Sequence, residues 1–358
     1  MTTLDDPSLL ELDASGMLRH ISDTGPELVR AWERCEDLVL PAGAETATSV
    51  VLAGVGGSAT AADYFAAICA PYAEIPVSVV RGYTLPNHVN DRTLVVVLSY
   101  SGNTDETLSC YDDAWKRGAK LLALTRGGRM RRRAGEDGTP WHEVSYESPP
   151  RAATVHSLAP LLRMGHRLGL CNVDTRAIKK AAKLHARLVE DIEPSMPVAR
   201  NGAKQIADGL QGRLPFIFGA EHLAPAATRF RNQLAENGKS FGAAESLPEA
   251  NHNLIVGLET ARHLSHVLAA VQVESRTLNS TPVLKRFDVT AQMLKECGVP
   301  VFRIDLGGAT VLEQLLQATA WGDFVSFYVA LLHGVDPTPI PQIERARAAI
   351  ANAPLQVV

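Results

Sequence analysis

The stretch VVVLSYSGNTDETLS, residues 95–109, decides the fold. It opens on four apolar, mostly β-branched residues, the composition of a strand buried on both faces. A knot of hydroxyls, one glycine and one asparagine follows, and the chain continues as the helical pattern ETLSCYDDAWKRG. The same rhythm runs outward on both sides. TSVVLAG (48–54) reads as a strand and VGGSATAADYFAAIC as a glycine turn entering a helix. IPVSVVRG (75–82), TLVVVLS (93–99) and AKLLALTRGG (119–128) read as further strands, with WHEVSYE (141–147) a fifth candidate. Short strands alternating with helices predict a parallel sheet covered on both faces.

The second half repeats the pattern. LPFIFG (214–219) ends in glycine and enters the helix HLAPAATRFRNQLAENG, KSFGAAES reads as an outer strand, and LSHVLAAVQ (264–272) stands where TLVVVLS stood. VTAQMLKECGVPVFRIDLGG (289–308) mirrors CYDDAWKRGAKLLALTRGG as helix, glycine, strand and Gly-Gly. The fold class expected is therefore α/β, with two tandem doubly wound, flavodoxin-like domains whose parallel sheets are flanked by helices. The boundaries expected are a helical segment over 1–45, a first domain over 46–150, connecting helices over 151–212, a second domain over 213–335, and a C-terminal helix and tail over 336–358.

Composition narrows the function. The 358 residues are 46% hydrophobic and 21% charged, ordinary values for a soluble globular protein, and the formal net charge of −4 offers no basic field for nucleic acid. The basic run Arg129-Met130-Arg131-Arg132-Arg133 reads as a solvated surface loop. Five cysteines, at 35, 69, 110, 171 and 297, form no CxxC pair, which suits a reducing cytoplasm and argues against a disulfide frame or zinc cluster. The acidic N-terminus lacks a signal-peptide pattern, and no apolar run is expected to span a membrane.

In a parallel sheet, ligands sit at the carboxyl ends of the strands. Ser99, Ser101 and Thr104 fall just past such an end, at the start of a helix, where unpaired N–H groups and a partial positive charge favour an anion. Three hydroxyls exceed what one helix cap needs. GVGGS (54–58) forms a second such turn, but it matches neither GxGxxG nor the GK[ST] ending of a nucleoside-triphosphate loop. Together the turns imply a monophosphate carrying something small. AVQVESRTLN has lost the serine spacing in the second half, so one phosphate site per chain is expected.

SYSGNTDETLS resembles the phosphosugar-binding loop of the sugar isomerase (SIS) domain family. LDDPSLLELDASGM, GVGGSA, IPVSVVRGYTLP, SYSGNTDET, PPRAA, RFRNQLAENGK, LPEANHN and LLHGVDPTP occur in that order. The set resembles the bifunctional phosphoglucose/phosphomannose isomerase family, an SIS-domain branch of the phosphoglucose isomerase superfamily. The resemblance implies cofactor-free and metal-free interconversion of aldose and ketose 6-phosphates through a cis-enediolate. It places Ser58, Ser99, Ser101 and Thr104, with Gly57, at the phosphate. It makes Arg151 the enediolate-stabilising guanidinium, Glu236 the base between C1 and C2, and His252 the ring-opening histidine. In the superfamily that histidine comes from a partner subunit, so a homodimer is implied.

The residue types suit the chemistry. A carboxylate can shuttle a proton, imidazole titrates near working pH, and a guanidinium offsets developing enediolate charge. The alternative for Glu236 is a solvated helix residue paired with Lys239 at i+3. For His252 it is a surface histidine, and for Arg151 a hinge residue between domains. The sequence departs from the family in three places. Arg347, with Arg345 the other candidate, falls where a lysine usually helps ring opening, and arginine cannot give up a proton. Ala235 and Gly238 replace the usual asparagine and alanine beside the base. Two functions follow: an isomerase for glucose 6-phosphate, mannose 6-phosphate or both, and a non-catalytic or slow phosphosugar-binding protein on the same fold.

Overall fold

The computed structural model describes residues 3–353. A 3-10 turn (Pro7–Leu12) precedes α1 (Met17–Ser22) and α2 (Thr24–Arg34). The first sheet unit then runs β1 (Ser49–Ala53), α3 (Gly56–Cys69), β2 (Val77–Val80), β3 (Thr93–Ser99), α4 (Asp105–Lys116), β4 (Lys120–Thr125), α5 (Gly128–Glu136) and β5 (Trp141–Glu143). Helices α6 (Thr154–Arg167), α7 (Thr175–Ile192) and α8 (Gly202–Leu210) connect it to the second. That unit runs β6 (Leu214–Ala220), α9 (Ala224–Glu236), β7 (Ala243–Leu247), α10 (Leu258–Leu264), β8 (Leu268–Glu274), α11 (Thr281–Glu296) and β9 (Val301–Asp305), before α12 (Val311–Leu332) and α13 (Pro341–Asn352). The C-terminal tail expected after the last helix falls at 354–358, outside the described residues.

Both sheets are wholly parallel. Their strand orders are β2-β1-β3-β4-β5 and β7-β6-β8-β9. Numbered within each unit, these are 2-1-3-4-5 and 2-1-3-4, so the second sheet repeats the first without its fifth strand. In each, the first and third strands are central neighbours, which places the turns after them side by side at one sheet edge. All seven residues of β3 are buried, as its continuous apolar run requires. Alternate residues serve opposite faces: Leu94, Val96 and Leu98 join the main core, while Val95 and Val97 pack on the α4–α5 side.

The main core reaches both sheets through the connecting helices and α12. It takes in Leu52 and Val96 from one sheet and Ile217 and Val271 from the other. Tyr64 of α3 and Thr319 of α12 hydrogen-bond at 3.1 Å across the two halves. Helix α12 is long and apolar enough to cross a membrane by length and composition, contrary to the expectation that no such run exists. However, 83% of its apolar window is buried inside the fold, and it carries Glu313, Gln314 and Asp323, so its hydropathy serves the core.

Three other expectations are corrected. Over the described residues 3–45 the helical reading holds only for short pieces, the last α-helix ending at Arg34 and a 3-10 turn following at Ala44–Thr46. The strand expected at 264–272 begins at Leu268, because Leu264 still closes α10. Residues 129–133 lie within α5 instead of forming a solvated loop. Two of their guanidinium groups lie over aromatic rings, Arg131 4.7 Å from the Trp141 centroid and Arg133 5.9 Å from the Trp115 centroid, and Arg133 also pairs with Asp112 and Asp137.

Candidate active site

The two turns at the carboxyl ends of β1 and β3 lie side by side. Beyond β1, Gly56 begins α3 in the left-handed region, and the first helical N–H groups, at Gly56, Gly57 and Ser58, have no partner within the helix. Ser58 is buried. A side chain at Gly57 would meet the Pro150 carbonyl at 2.9 Å and the Arg151 Cα at 3.4 Å. Gly57 thus lets the arginine turn press against the mouth of α3, a close approach its neighbourhood requires.

Beyond β3, the loop is braced from within. Ser99 is buried; its Oγ accepts the Gly102 N–H at 3.1 Å and donates to Thr104 Oγ1 at 2.9 Å. Ser101 Oγ accepts the Asn103 N–H at 3.2 Å. Gly102 has φ 69°, and a Cβ there would strike the Gly127 carbonyl at 1.7 Å, so only glycine permits this loop to nest on the start of α5. Thr104 stands at the N-cap of α4 without a side-chain cap bond. Ser99 therefore shapes the loop, while the hydroxyls of Ser101 and Thr104 keep their own hydrogens for an incoming acceptor.

Tyr100, within the same loop, reaches the other way. Its hydroxyl lies on the Tyr146 carbonyl, 3.1 Å from the Ser148 carbonyl, and accepts the Ser148 N–H at 3.1 Å. That strap leads through Pro149 and Pro150 into Arg151.

Arg151 is 4% exposed and held from the second half of the chain. Its Nε donates to Asn237 Oδ1 at 2.6 Å, and its Nη2 donates to the carbonyls of Pro337 and Thr338, each at 2.9 Å. Nη1 is buried without a hydrogen-bond partner, 3.6 Å from Glu236 Oε2. Burial draws the Arg151 guanidinium below its ordinary pKa, and Glu236 opposes this. Glu236 is the last residue of α9, with its side chain 28% exposed. The alternative of a side-chain pair with Lys239 is not what the structure holds: Lys239 Nζ donates to the main-chain carbonyl of Glu236, and the carboxylate faces Arg151. Beside it, a Cβ on Gly238 would come within 2.8 Å of the Leu234 carbonyl and 3.0 Å of Val329, so alanine would not fit here without movement.

A second guanidinium braces the floor. Arg229 binds Asp323 at 2.6 and 3.1 Å and donates to the Arg151 carbonyl at 3.3 Å, while Gln233 donates to Asp323 at 2.6 Å. Burial opposes the charge on Arg229, but Asp323, Tyr64 and Glu236 together raise its pKa. Gly57, Thr60, Arg151, Thr154, Arg229, Asn232, Gln233 and Glu236 line one small pocket of about 10 Å³. The cleft thus joins the α3 turn, the arginine turn and the end of α9.

His252 and Arg347 stand apart from it. His252 is exposed in the turn after β7, its N–H bonded to the Glu249 carbonyl at 2.8 Å, and Arg347 is exposed on α13. Neither lines the Arg151–Glu236 cleft of the same chain. Sequence reading missed the roles of Asn237, Arg229, Asp323 and the carbonyls of Pro337 and Thr338, and gave Lys239 a different partner group. The DPTP motif was the available signal, since a proline-rich loop can offer rigid carbonyl acceptors.

The second half shows why its own loop is not an equivalent site. Ser275 Oγ accepts the N–H groups of Thr277 and Leu278, at 3.3 and 3.1 Å. Glu221, at φ 50°, places Oε2 on the Ser280 N–H at 3.1 Å and on Asn279 Nδ2 at 2.9 Å. Burial pushes the Glu221 carboxyl up, but these hydrogen bonds outweigh it and hold it below its ordinary range. The chain's own carboxylate occupies the start of α11. Among the described residues, no group of three or more His, Cys, Asp and Glu is placed to hold a metal ion.

An SIS-domain family model matches residues 45–130, and the model of the bacterial phospho-glucose isomerase C-terminal SIS domain matches 199–350. The fold and cleft therefore define a protein of two SIS domains. The chain is 33% identical over 337 residues to the bifunctional phosphoglucose/phosphomannose isomerase of Caldicellulosiruptor bescii, covering 94% of this chain and 99% of that one. It is 30% identical over 272 residues to the enzyme of the same description from Aquifex aeolicus, covering 76% and 80%. The chain belongs to the bifunctional phosphoglucose/phosphomannose isomerase family. The crystal structure of a glucose-6-phosphate isomerase like protein from Thermus thermophilus shares the fold, with a TM-score of 0.62 at 18% identity over 95% of this chain and 99% of that one.

Proposed function

We propose that this protein is a sugar-phosphate isomerase that interconverts glucose 6-phosphate, mannose 6-phosphate or both with fructose 6-phosphate. The observation that carries the reading is the buried, unpartnered Nη1 of Arg151 beside the Glu236 carboxylate, at the mouth of the α3 turn. The phosphate binds the free N–H groups at Gly57 and Ser58 and the hydroxyls of Ser101 and Thr104, on a loop that Ser99 braces. Glu236 takes the C2 proton of the open-chain aldose. The electron pair of that C–H bond forms the C1–C2 double bond, and the carbonyl π pair moves onto O1 of the enediolate. Arg151 stabilises this charge, the proton on O2 passes to O1, and Glu236 returns its proton to C1, taking up the C1–C2 π pair as the O2 electron pair forms the ketose carbonyl at C2.

His252 opens the ring from a partner subunit in a homodimer, and Arg347 stands in place of the usual lysine and binds a sugar oxygen. Residues 46–150 and 213–335 form the two SIS domains, joined by 151–212. The reaction needs no cofactor, and the enzyme is cytoplasmic. The second reading, a phosphosugar-binding protein without turnover, draws on the last helix: the resemblance expects a lysine where Arg347, or Arg345, stands, and arginine cannot act as an acid.

A coupled assay for fructose 6-phosphate separates the two. It is run on each hexose 6-phosphate with a chelator present and Glu236→Gln as control. Chelator-resistant turnover that Glu236→Gln abolishes supports the isomerase. Phosphosugar binding without turnover on either sugar establishes the binding protein.

A further inference from the structure

Lys239 lies three residues beyond the proposed base, just past the end of the same helix. Its Nζ donates to the Glu236 main-chain carbonyl, one of the acceptors a helix end leaves unpaired, and to the Pro337 carbonyl at 2.9 Å. The Pro337 carbonyl is also an acceptor for Arg151 Nη2. One ammonium therefore bridges the end of α9 to the loop that grips the guanidinium. The backbone of Lys239 sits at φ 53°, in the left-handed region where a residue with a side chain rarely stays unless its surroundings impose it. That turn folds the side chain back over the helix end.

We infer that Lys239 is a positioning residue: it fixes the distance between the Glu236 carboxylate and the Arg151 guanidinium by tying the elements that carry them. This rests on the isomerase reading above. Arg151 faces the ammonium from the 150–152 turn, Glu236 from α9, and Asp336 from the loop after α12, while His333 at the end of α12 donates to the neighbouring Gly238 carbonyl at 2.7 Å. Burial, then Arg151, pulls the Lys239 ammonium down to about 8, against Asp336 and Glu236. The charge is present below that pH and lost above it. A neutral amine makes weaker hydrogen bonds than an ammonium, so the tie slackens as pH rises through this range.

The test measures kcat and KM against pH for the wild type, Lys239→Met and Lys239→Arg, with Glu236→Gln as the inactive control. Hydrogen exchange of the amides at 237–240 is measured on the same proteins. Lys239→Met should lower kcat on the order of 10²-fold, the effect of roughly 1 Å of misplacement. Inhibition by inorganic phosphate should be unchanged in it, and exchange at 237–240 faster. Wild-type kcat should fall above about pH 8. Lys239→Arg, charged throughout, should keep its rate there. Wild-type kcat in Lys239→Met, or an alkaline fall in Lys239→Arg at the wild-type pH, overturns the inference. Should Lys239→Met not fold, the alkaline limb of Lys239→Arg decides alone. If the wild type turns over neither hexose phosphate, the isomerase reading falls, and amide exchange still decides the tie: faster exchange in Lys239→Met supports it and unchanged exchange overturns it.

Discussion

Single buried side chains in this protein show where its polar groups are costly. His185 of α7 is fully buried, with neither ring nitrogen hydrogen-bonded. Burial, then Arg229, pushes its pKa down to about 4. The unfolded chain, near the ordinary 6.5, therefore binds more protons than the native state between these values. Stability from this group is complete above about pH 6.5 and is lost as pH falls towards 4. His156, pushed down to about 3 by burial and then by Arg34 and Arg30, adds to the same acid limb. Urea midpoints measured across this range should fall with pH, and His185→Leu should give a shallower slope. An unchanged slope would remove His185 from the account. Arg151 shows the opposite case, a buried cation with three acceptors and one hydrogen-bonding group left over, and that remainder marks the cleft.

Elements repeat in this chain, but their termini do not. The starts of α4 and α11 are reached through corresponding strand-to-helix turns, one after β3 and the other after β8. At the first, hydroxyls face outward from a braced loop; at the second, Glu221 fills the helix mouth. Glu221→Ala should destabilise the protein by on the order of 1 kcal/mol, the typical effect of losing an acceptor at a helix N-terminus. Chemical denaturation would detect it, and an unchanged midpoint would count against the capping role. The alternation of strands and helices was legible at this scale. The loss of serine spacing in AVQVESRTLN correctly set this turn apart from the β3 turn. What replaced the spacing was not legible, because Glu221 lies 58 residues before Asn279 and meets it only across the sheet edge. The arginine run 129–133 is a solvated surface as its charge implies, with Arg129, Arg131 and Arg132 exposed, but it lies on a helix and not in a loop, and the fold brings Trp115 and Trp141 beside it.

For the whole molecule, one chain brings Arg151 and Glu236 together and leaves His252 and Arg347 outside their cleft. Under the proposed homodimer, Glu236→Gln and His252→Ala are each inactive for reasons residing in different subunits of a site. Mixed and allowed to exchange in equal amounts, they should regain activity, with on the order of a quarter of all sites intact for a two-fold dimer. No recovery, with subunit exchange verified by mass, would place His252 in its own chain's site or outside catalysis.

The sequence by itself determined the two parallel sheets, their flanking helices and the strand-to-helix turns at the carboxyl ends of β1 and β3. Those features follow from local periodicity and turn chemistry, which neighbouring residues carry. Tertiary structure alone decided what holds the arginine, since Asn237, Pro337 and Thr338 lie 86 to 187 residues from Arg151 and no local pattern links them. It also decided that Lys239 ties the helix end to that loop and that Glu221 closes the second helix mouth. A hydrogen bond between distant residues depends on where packing sets their backbones, and the core that sets them is shared by both halves of the chain.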